Sequence, residues 1–321
     1  MVKLMKPARF HLVVLMLLLG PQAHAVVVAG ANGGSDTSNN TTAAQMAQQL
    51  DLTNTAFYSN ILPYSDAGSV YLGWANTIDG PRGYLLSAMH INLSSIMLIN
   101  AVSYSVTRQS IAGSDLALLT LSNVNGIMPA LPVVNLASTA PSIGTGVIMA
   151  GFGRNRVQTA TTNANTSDAV AVTDGTGYST TTPHIQRWGT NTTVKFNSLG
   201  QPLPTGTVDI GGRLTTAFVT GFDQPASGEW LTSNEAQAVL GDSGGGVFGF
   251  DGVLRGIIVA VSGSDATDAA FAEKTYLADI ATYKTAVDTA IGYALVPEPS
   301  TTSLLFLGAG AAALLASRRR R

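Results

Sequence analysis

Residues 241–245 read Gly-Asp-Ser-Gly-Gly, a pattern suited to nucleophilic chemistry. Glycines around a serine permit a tight turn, in which the backbone N–H groups of Gly241 and Ser243 can point at one place. Two such donors form an oxyanion hole, which stabilises the negative charge that develops on a carbonyl oxygen under attack. The motif therefore predicts Ser243 as a nucleophile, with an ordinary β-turn as the alternative.

A serine hydroxyl needs a base within hydrogen-bond reach before it becomes a good nucleophile. Only two histidines follow residue 25: His90 ends an apolar stretch that starts at Tyr84, and His184 lies in a polar, Thr-rich stretch. Asp115 directly precedes the apolar run 116–121, which places a carboxylate at a strand end. We predict His90 as the general base and Asp115 as the group that orients it, and we expect His184 to be structural or solvent-exposed. The alternatives are a structural role for His90 and a strand-capping role for Asp115.

The first 25 residues have the layout of a secretory signal peptide. Three basic residues precede an apolar run at 12–19, and Ala23-His24-Ala25 forms a small-x-small cleavage site, so we predict that the mature chain begins at Val26. A membrane anchor is the alternative, but the run is too short to span a bilayer core of about 30 Å.

The C-terminal end contains Val296-Pro297-Glu298-Pro299, an uncharged run from Thr301 to Ala316 and four terminal arginines. The run predicts a membrane helix over 301–317, with the arginines on the cytoplasmic side. The whole segment, 296–321, resembles the PEP-CTERM sorting signal of Gram-negative bacteria. That resemblance implies that an exosortase cuts near the Pro-Glu-Pro triplet and releases the protein to the cell surface or the extracellular matrix. A plain membrane anchor is the alternative.

The charge of the part between these ends argues against a nucleic-acid partner. Seven of the 17 basic and one of the 19 acidic residues lie in the two end segments, which leaves ten basic and eighteen acidic residues, a net charge of −8. Binding to phosphates needs clustered Lys and Arg. The chain has no cysteine, so its core must stabilise it without disulfides.

The pattern of the mature part indicates an all-β domain, which we place at residues 56–293 after a lead-in segment at 26–55. Short apolar runs bounded by turn residues favour a sandwich or barrel. We expect a long surface loop or hairpin at 159–182. A C-terminal amphipathic helix is predicted from the spacing of Ile280, Tyr283, Val287 and Ile291. The predicted strands are 69–74, 83–88, 94–99, 116–121, 146–150, 246–250 and 253–261.

Three segments resemble blocks of the trypsin/chymotrypsin family of serine peptidases, in the family's order. They are the segment ending in His90, the Asp115-Leu116-Ala117-Leu118-Leu119 segment and residues 241–245. The resemblance covers residues 69–292. It implies two packed antiparallel six-stranded β-barrels, with His90, Asp115 and Ser243 in the cleft between them. It also implies hydrolysis of peptide bonds through an acyl-enzyme, without metal or cofactor.

The resemblance also assigns a specificity pocket. It places Gln237, six residues before Ser243, at the pocket floor, and Val261 on the wall, where the family often has glycine. Without a carboxylate at the floor, a Lys or Arg side chain would be buried unpaired. We therefore predict no trypsin-like specificity and a preference for small or medium uncharged residues.

Two departures from the family pattern bear on stability and activation. Ile91 follows the histidine where the family usually has a disulfide-bonded cysteine. In the family, the aspartate corresponding to Asp242 pairs with an N-terminal ammonium released by cleavage, and Val26-Val27-Val28 loosely resembles that N-terminus. Removal of the signal peptide would then supply the ammonium, although the stretch from Val26 to His90 is longer than usual.

Two other functions remain open at this point. A surface or matrix binding protein can use a protease fold without catalysis, because fold does not fix function. An esterase can use the same three residues and differs only in its substrate.

Overall fold

The computed structural model describes residues 26–28, 41–92, 94–156, 170–172, 175–181, 186–198, 201–223, 234–263, 268–292 and 294–296. The predicted signal peptide, His184 and the predicted membrane helix at 301–317 lie outside the described residues. So do parts of the lead-in segment and of the 159–182 stretch. Among the described residues, no helix is long and apolar enough to cross a membrane.

The chain enters the domain through three short elements, namely strand β1 (Val27–Val28), helix α1 (Ala43–Leu50) and a 3₁₀ helix (Ala56–Asn60). A capping box starts α1: the Thr42 hydroxyl accepts from the N–H of Gln45, and the Gln45 side chain accepts from the N–H of Thr42. This satisfies two N–H groups that a helix start leaves unpaired.

The first half of the domain is a six-stranded antiparallel sheet with the strand order β2-β3-β4-β7-β6-β5. Ala88 at the end of β4 pairs with Leu116 at the start of β7, so the chain segments that carry His90 and Asp115 leave the same end of the sheet. The strands are β2 (Ile61–Tyr64), β3 (Ala67–Thr77), β4 (Gly80–Ala88), β5 (Ile96–Ile99), β6 (Val102–Ser110) and β7 (Leu116–Ser122).

The second half is a seven-stranded antiparallel sheet with the order β12-β8-β18-β19-β21-β16-β15. Because β12 also pairs with β16, six of these strands close into a barrel, and β15 lies outside the ring. Its strands are β8 (Gly146–Gly151), β12 (Arg187–Val194), β15 (Gly206–Ile210), β16 (Arg213–Gly221), β18 (Gly246–Phe248), β19 (Leu254–Val261) and β21 (Lys274–Asp279).

Shorter strands complete this half. A hairpin formed by β10 and β11 falls in the stretch predicted as a loop or hairpin, and β17 pairs with β1. These strands are β9 (Asn155–Arg156), β10 (Val170–Val172), β11 (Gly175–Thr181), β13 (Phe196–Ser198), β14 (Gln201–Leu203), β17 (Ala236–Gln237) and β20 (Asp268–Ala270).

Helix α2 (Ile280–Ile291) follows the last strand and buries the predicted face of Ile280, Tyr283, Val287 and Ile291. These side chains join a core that includes Leu86 of the first sheet and Ile257 of the second, so both halves pack around shared apolar residues. The prediction of an all-β chain with two packed halves and a C-terminal helix is confirmed: the first half is a six-stranded sheet, and the second is a nearly closed six-stranded barrel with β15 as a seventh strand.

Candidate functional site

The structure brings the three residues of the predicted triad together. His90 Nδ1 lies 2.5 Å from Asp115 Oδ2, and His90 Nε2 lies 2.9 Å from Ser243 Oγ. The Asp115 side chain is fully buried, whereas that of His90 is 34% exposed. Because a carboxylate only accepts hydrogen bonds, we assign the imidazole proton to Nδ1, which leaves Nε2 free to accept the proton of the Ser243 hydroxyl.

Contacts from both sheets and from α2 fix the Asp115 segment. The Asp115 N–H donates to Thr215 Oγ1 of β16 at 2.8 Å, and the Met89 N–H donates to the Asp115 carbonyl at 2.6 Å. The Tyr283 hydroxyl donates to the Gly113 carbonyl at 2.9 Å and accepts from the Thr216 N–H at 2.7 Å. Asp115 Oδ1 has no hydrogen-bond partner within the described part of the chain. The carboxyl group is therefore held through its backbone and through His90.

A single arginine fixes the segment that carries His90. The Arg108 guanidinium on β6 donates to the carbonyls of Met89 and Ile91, the latter at 2.9 Å, and its Nε lies 3.1 Å from the Met89 sulfur. Both carbonyls adjoin His90, one on each side. The sequence did not indicate Arg108 or Thr215, and it indicated Tyr283 only as part of a helix face, because each supports the site through a partner more than fifteen positions away.

The turn around Ser243 uses its glycines as the sequence suggested. Gly241 has a φ of 98° and Gly244 a φ of 84°, which are left-handed values. A Cβ on Gly244 would lie 2.0 Å from the Gly68 carbonyl oxygen, so no larger residue fits there. Among the described residues, the N–H groups of Gly241 and Ser243 have no hydrogen-bond acceptor. They are available to a ligand oxygen.

Asp242 points away from this turn into the second barrel and is completely buried. Its carboxyl group accepts hydrogen bonds from the N–H groups of Gly153 at 2.7 Å, Val239 at 2.9 Å and Val26. Burial raises the pKa of Asp242 from 3.8 to about 7, although these bonds and the charge of Arg187 oppose the rise. Val26, the predicted first residue of the mature chain, thus lies at the carboxyl group predicted to bind it.

The two residues predicted for the specificity pocket both lie in the second barrel. Gln237 on β17 is fully buried, and its Oε1 accepts from the Thr275 hydroxyl at 3.0 Å. Val261 is half-buried at the end of β19 and packs against the apolar cluster that contains Val26. Their part in specificity stays a prediction.

Comparison with known families finds the PEP-CTERM protein-sorting motif at residues 295–321. The chain therefore carries a sorting signal of this type, which indicates export and sorting to the cell surface or outside and implies recognition by an exosortase. The comparison with curated proteins finds no match.

Solved structures similar to this chain include trypsin/chymotrypsin-like serine proteases, all at low sequence identity. Neuropsin, a serine protease expressed in the limbic system of mouse brain, is 18% identical over 73% of this chain and 96% of its own, with a TM-score of 0.44. The MamO protease domain from Magnetospirillum magneticum is 13% identical over 70% of this chain and 89% of its own, with a TM-score of 0.39. The NS6 protease from murine norovirus 1 is 12% identical over 71% of this chain and 93% of its own, with a TM-score of 0.38.

Proposed function

We propose that this protein is an exported serine endopeptidase in which Ser243 is the nucleophile, His90 the general base and Asp115 the residue that orients His90. The observation that carries the proposal is the continuous hydrogen-bond chain from Asp115 through both ring nitrogens of His90 to Ser243 Oγ. A buried carboxylate, an imidazole and a hydroxyl in this order form the geometry that activates a serine.

The reaction follows from these positions. Ser243 Oγ attacks the carbonyl carbon of a peptide bond and its proton passes to His90 Nε2, while Asp115 stabilises the imidazolium through Nδ1. The N–H groups of Gly241 and Ser243 bind the negative oxygen of the tetrahedral intermediate. His90 then donates the proton to the leaving nitrogen, the C–N bond breaks and an acyl-Ser243 ester remains. A water molecule, deprotonated by His90, hydrolyses this ester and restores the Ser243 hydroxyl.

The sorting signal adds the cellular setting of this chemistry. In our proposal the signal peptide directs the chain through the inner membrane, and the helix at 301–317 holds it there until an exosortase cuts near residues 297–299. The peptidase domain is then released to the cell surface or the extracellular matrix, where it cleaves proteins or peptides.

Covalent labelling of the purified exported protein by a fluorophosphonate tests this proposal. We expect labelling to fall by at least about a thousandfold in Ser243→Ala and in His90→Ala, because the base and the nucleophile act as one unit. The matched control is Ser59→Ala, which removes an exposed serine hydroxyl from the 3₁₀ helix and leaves labelling unchanged.

Substrate assays separate the alternatives. Cleavage of casein-derived peptides that Ser243→Ala abolishes supports the endopeptidase, and cleavage of esters alone supports an esterase with the same residues. A folded protein that starts at Val26 and resists the probe contradicts both and supports the binding-protein alternative.

A further inference from the structure

A cavity of about 180 Å³ opens beside Ser243, and its lining contains an acidic residue that the proposed mechanism does not use. Three of its lining residues come from the turn between β2 and β3 and the first position of β3, three are His90 and the two residues after it, and three come from the Ser243 segment. They are Ser65, Asp66, Ala67, His90, Ile91, Asn92, Leu240, Gly241 and Ser243.

The cavity lies on the side of Ser243 where the leaving group of a substrate must be. In the proposed mechanism His90 Nε2 returns a proton to the leaving nitrogen, so this nitrogen and the residues after it lie next to His90. The cavity is lined by His90 and the two residues that follow it. Strand β19 contacts the Ser243 turn, because its Ile258 carbonyl accepts a hydrogen bond from the Gly244 N–H at 2.8 Å. None of the residues of this strand lines the cavity.

The position of Asp66 is fixed relative to the nucleophile. Tyr64 and Ala67 pair across the hairpin, so Ser65 and Asp66 form a two-residue turn, in which Ser65 has a φ of 55°. Two residues further on, the Gly68 N–H donates to the Ser243 carbonyl at 2.9 Å. A short, hydrogen-bonded path therefore connects the Asp66 turn to the Ser243 backbone.

The charges and apolar surface of the cavity suit a long cationic side chain. Among the described residues of the lining, only Asp66 and His90 ionise, and none is Lys or Arg. Arg108 lies near, but its guanidinium is bound to the carbonyls of Met89 and Ile91. The side chains of Ile91 and Leu240 offer apolar surface along which the stem of a Lys or Arg can lie while its charged end reaches Asp66.

We propose that this cavity binds a Lys or Arg side chain located just after the scissile bond of the substrate, and that Asp66 sets this preference. The inference rests on the proposed peptidase function and names the substrate class that this function serves. Asp66 is exposed, so solvent screens its charge, and we expect a preference of roughly threefold to tenfold rather than absolute selection.

The experiment compares kcat/KM for paired peptides that differ only in having Lys or Glu at the first or second position after the cleaved bond. The wild-type protein is expected to prefer Lys. The preference disappears in Asp66→Asn and reverses in Asp66→Lys. The control Asp79→Asn removes an exposed acid from the β3–β4 turn, which lies at the opposite end of β4 from Ala88, and keeps the wild-type ratio.

The outcomes separate this inference from the proposed function. If the wild-type protein reacts with a fluorophosphonate through Ser243 but Asp66→Asn keeps the same Lys-to-Glu ratio, the inference is wrong and the peptidase function stands. If the wild-type protein shows no reaction at Ser243, both are wrong. Circular dichroism of Asp66→Asn and Asp66→Lys checks that a changed ratio comes from a folded protein.

Discussion

The backbone N–H of Val26 donates a hydrogen bond to the carboxyl group of Asp242, which directly precedes Ser243. Val26 is fully buried, and β1, which follows it, pairs with β17. The sequence independently predicts signal-peptide cleavage directly before Val26. Val26 is therefore both the predicted first residue of the mature chain and a hydrogen-bond donor to Asp242. This coincidence leads to a prediction about activation.

We predict that release of an α-ammonium group at Val26 activates the protein. Val26 has a φ of 50°, a left-handed value that is unfavourable for a β-branched residue. Cleavage after Ala25 removes the peptide bond that defines this angle and converts an N–H donor into a cation beside a buried carboxylate. A chain that keeps His24 and Ala25 should have a kcat/KM at least about tenfold lower than one that starts at Val26. Equal activity of the two chains would contradict this prediction.

The same relationship predicts that the two forms lose stability in different pH ranges, one with and one without the residues before Val26. In the chain that keeps the residues before Val26, the pKa of Asp242 is raised from 3.8 to about 7. Between these pH values the folded state therefore binds more protons than the unfolded state. Its free energy of unfolding should therefore decrease from pH 4 to pH 7, by roughly 4 kcal/mol at most. Urea unfolding at each pH measures this, and Asp242→Asn should flatten the curve.

In the chain that starts at Val26, the α-ammonium group lowers the pKa of Asp242 and the decrease between pH 4 and pH 7 should shrink. The carboxylate in turn raises the pKa of the α-amino group above its ordinary value of about 7.7–8.0. Stability should then fall as the pH rises through that higher pKa. A pH dependence identical in both chains would show that Val26 carries no charge at this site.

Arg108 is predicted to be a positioning residue for His90. Arg108→Lys cannot donate to both the Met89 and Ile91 carbonyls, because an ammonium group lacks the planar, forked geometry of a guanidinium. We expect kcat to fall by roughly tenfold to a hundredfold while KM changes little, since a misplaced base affects the chemical step. Steady-state kinetics with one peptide substrate checks this.

The control for Arg108 is Arg82→Met, because the Arg82 guanidinium donates to the carbonyl of its neighbour Pro81, away from His90. Arg82→Met should keep both kcat and KM. If Arg108→Lys raises KM and leaves kcat unchanged, Arg108 contributes to substrate binding and the positioning role is wrong.

Tyr283→Phe should weaken the link between α2 and the Asp115 segment. The change leaves the Gly113 carbonyl and the Thr216 N–H without their partner, which costs about 1–3 kcal/mol of unfolding free energy. Urea unfolding measures the loss, and we expect kcat to fall with it. The control is Tyr104→Phe, because the Tyr104 hydroxyl has no hydrogen-bond partner within the described residues. An equal effect of the two variants would contradict the prediction.

The sequence was most informative where chemistry or periodicity is local. The Gly241–Gly245 turn is predictable because only glycine adopts its left-handed angles without strain. The α2 face is predictable from helical spacing, and the strands next to His90 and Asp115 from their apolar runs. The identity of the strands that close the second barrel, β12 and β16, and the additional strand β15 were not predicted, because strand pairing depends on contacts between residues far apart in the chain.

The sequence by itself determined the residue types of the proposed site, their order, the all-β class and the C-terminal sorting motif, and it predicts the N-terminal signal peptide. Tertiary structure alone decided that His90, Asp115 and Ser243 lie within hydrogen-bond distance, since 153 positions separate His90 from Ser243. It also decided that Arg108 and Tyr283 hold the His90 and Asp115 segments, that Asp66 lines the cavity beside Ser243, and that Val26 lies at Asp242. The physical reason is that these contacts form only when two sheets pack on a common core, and a linear pattern does not encode which side chains then meet.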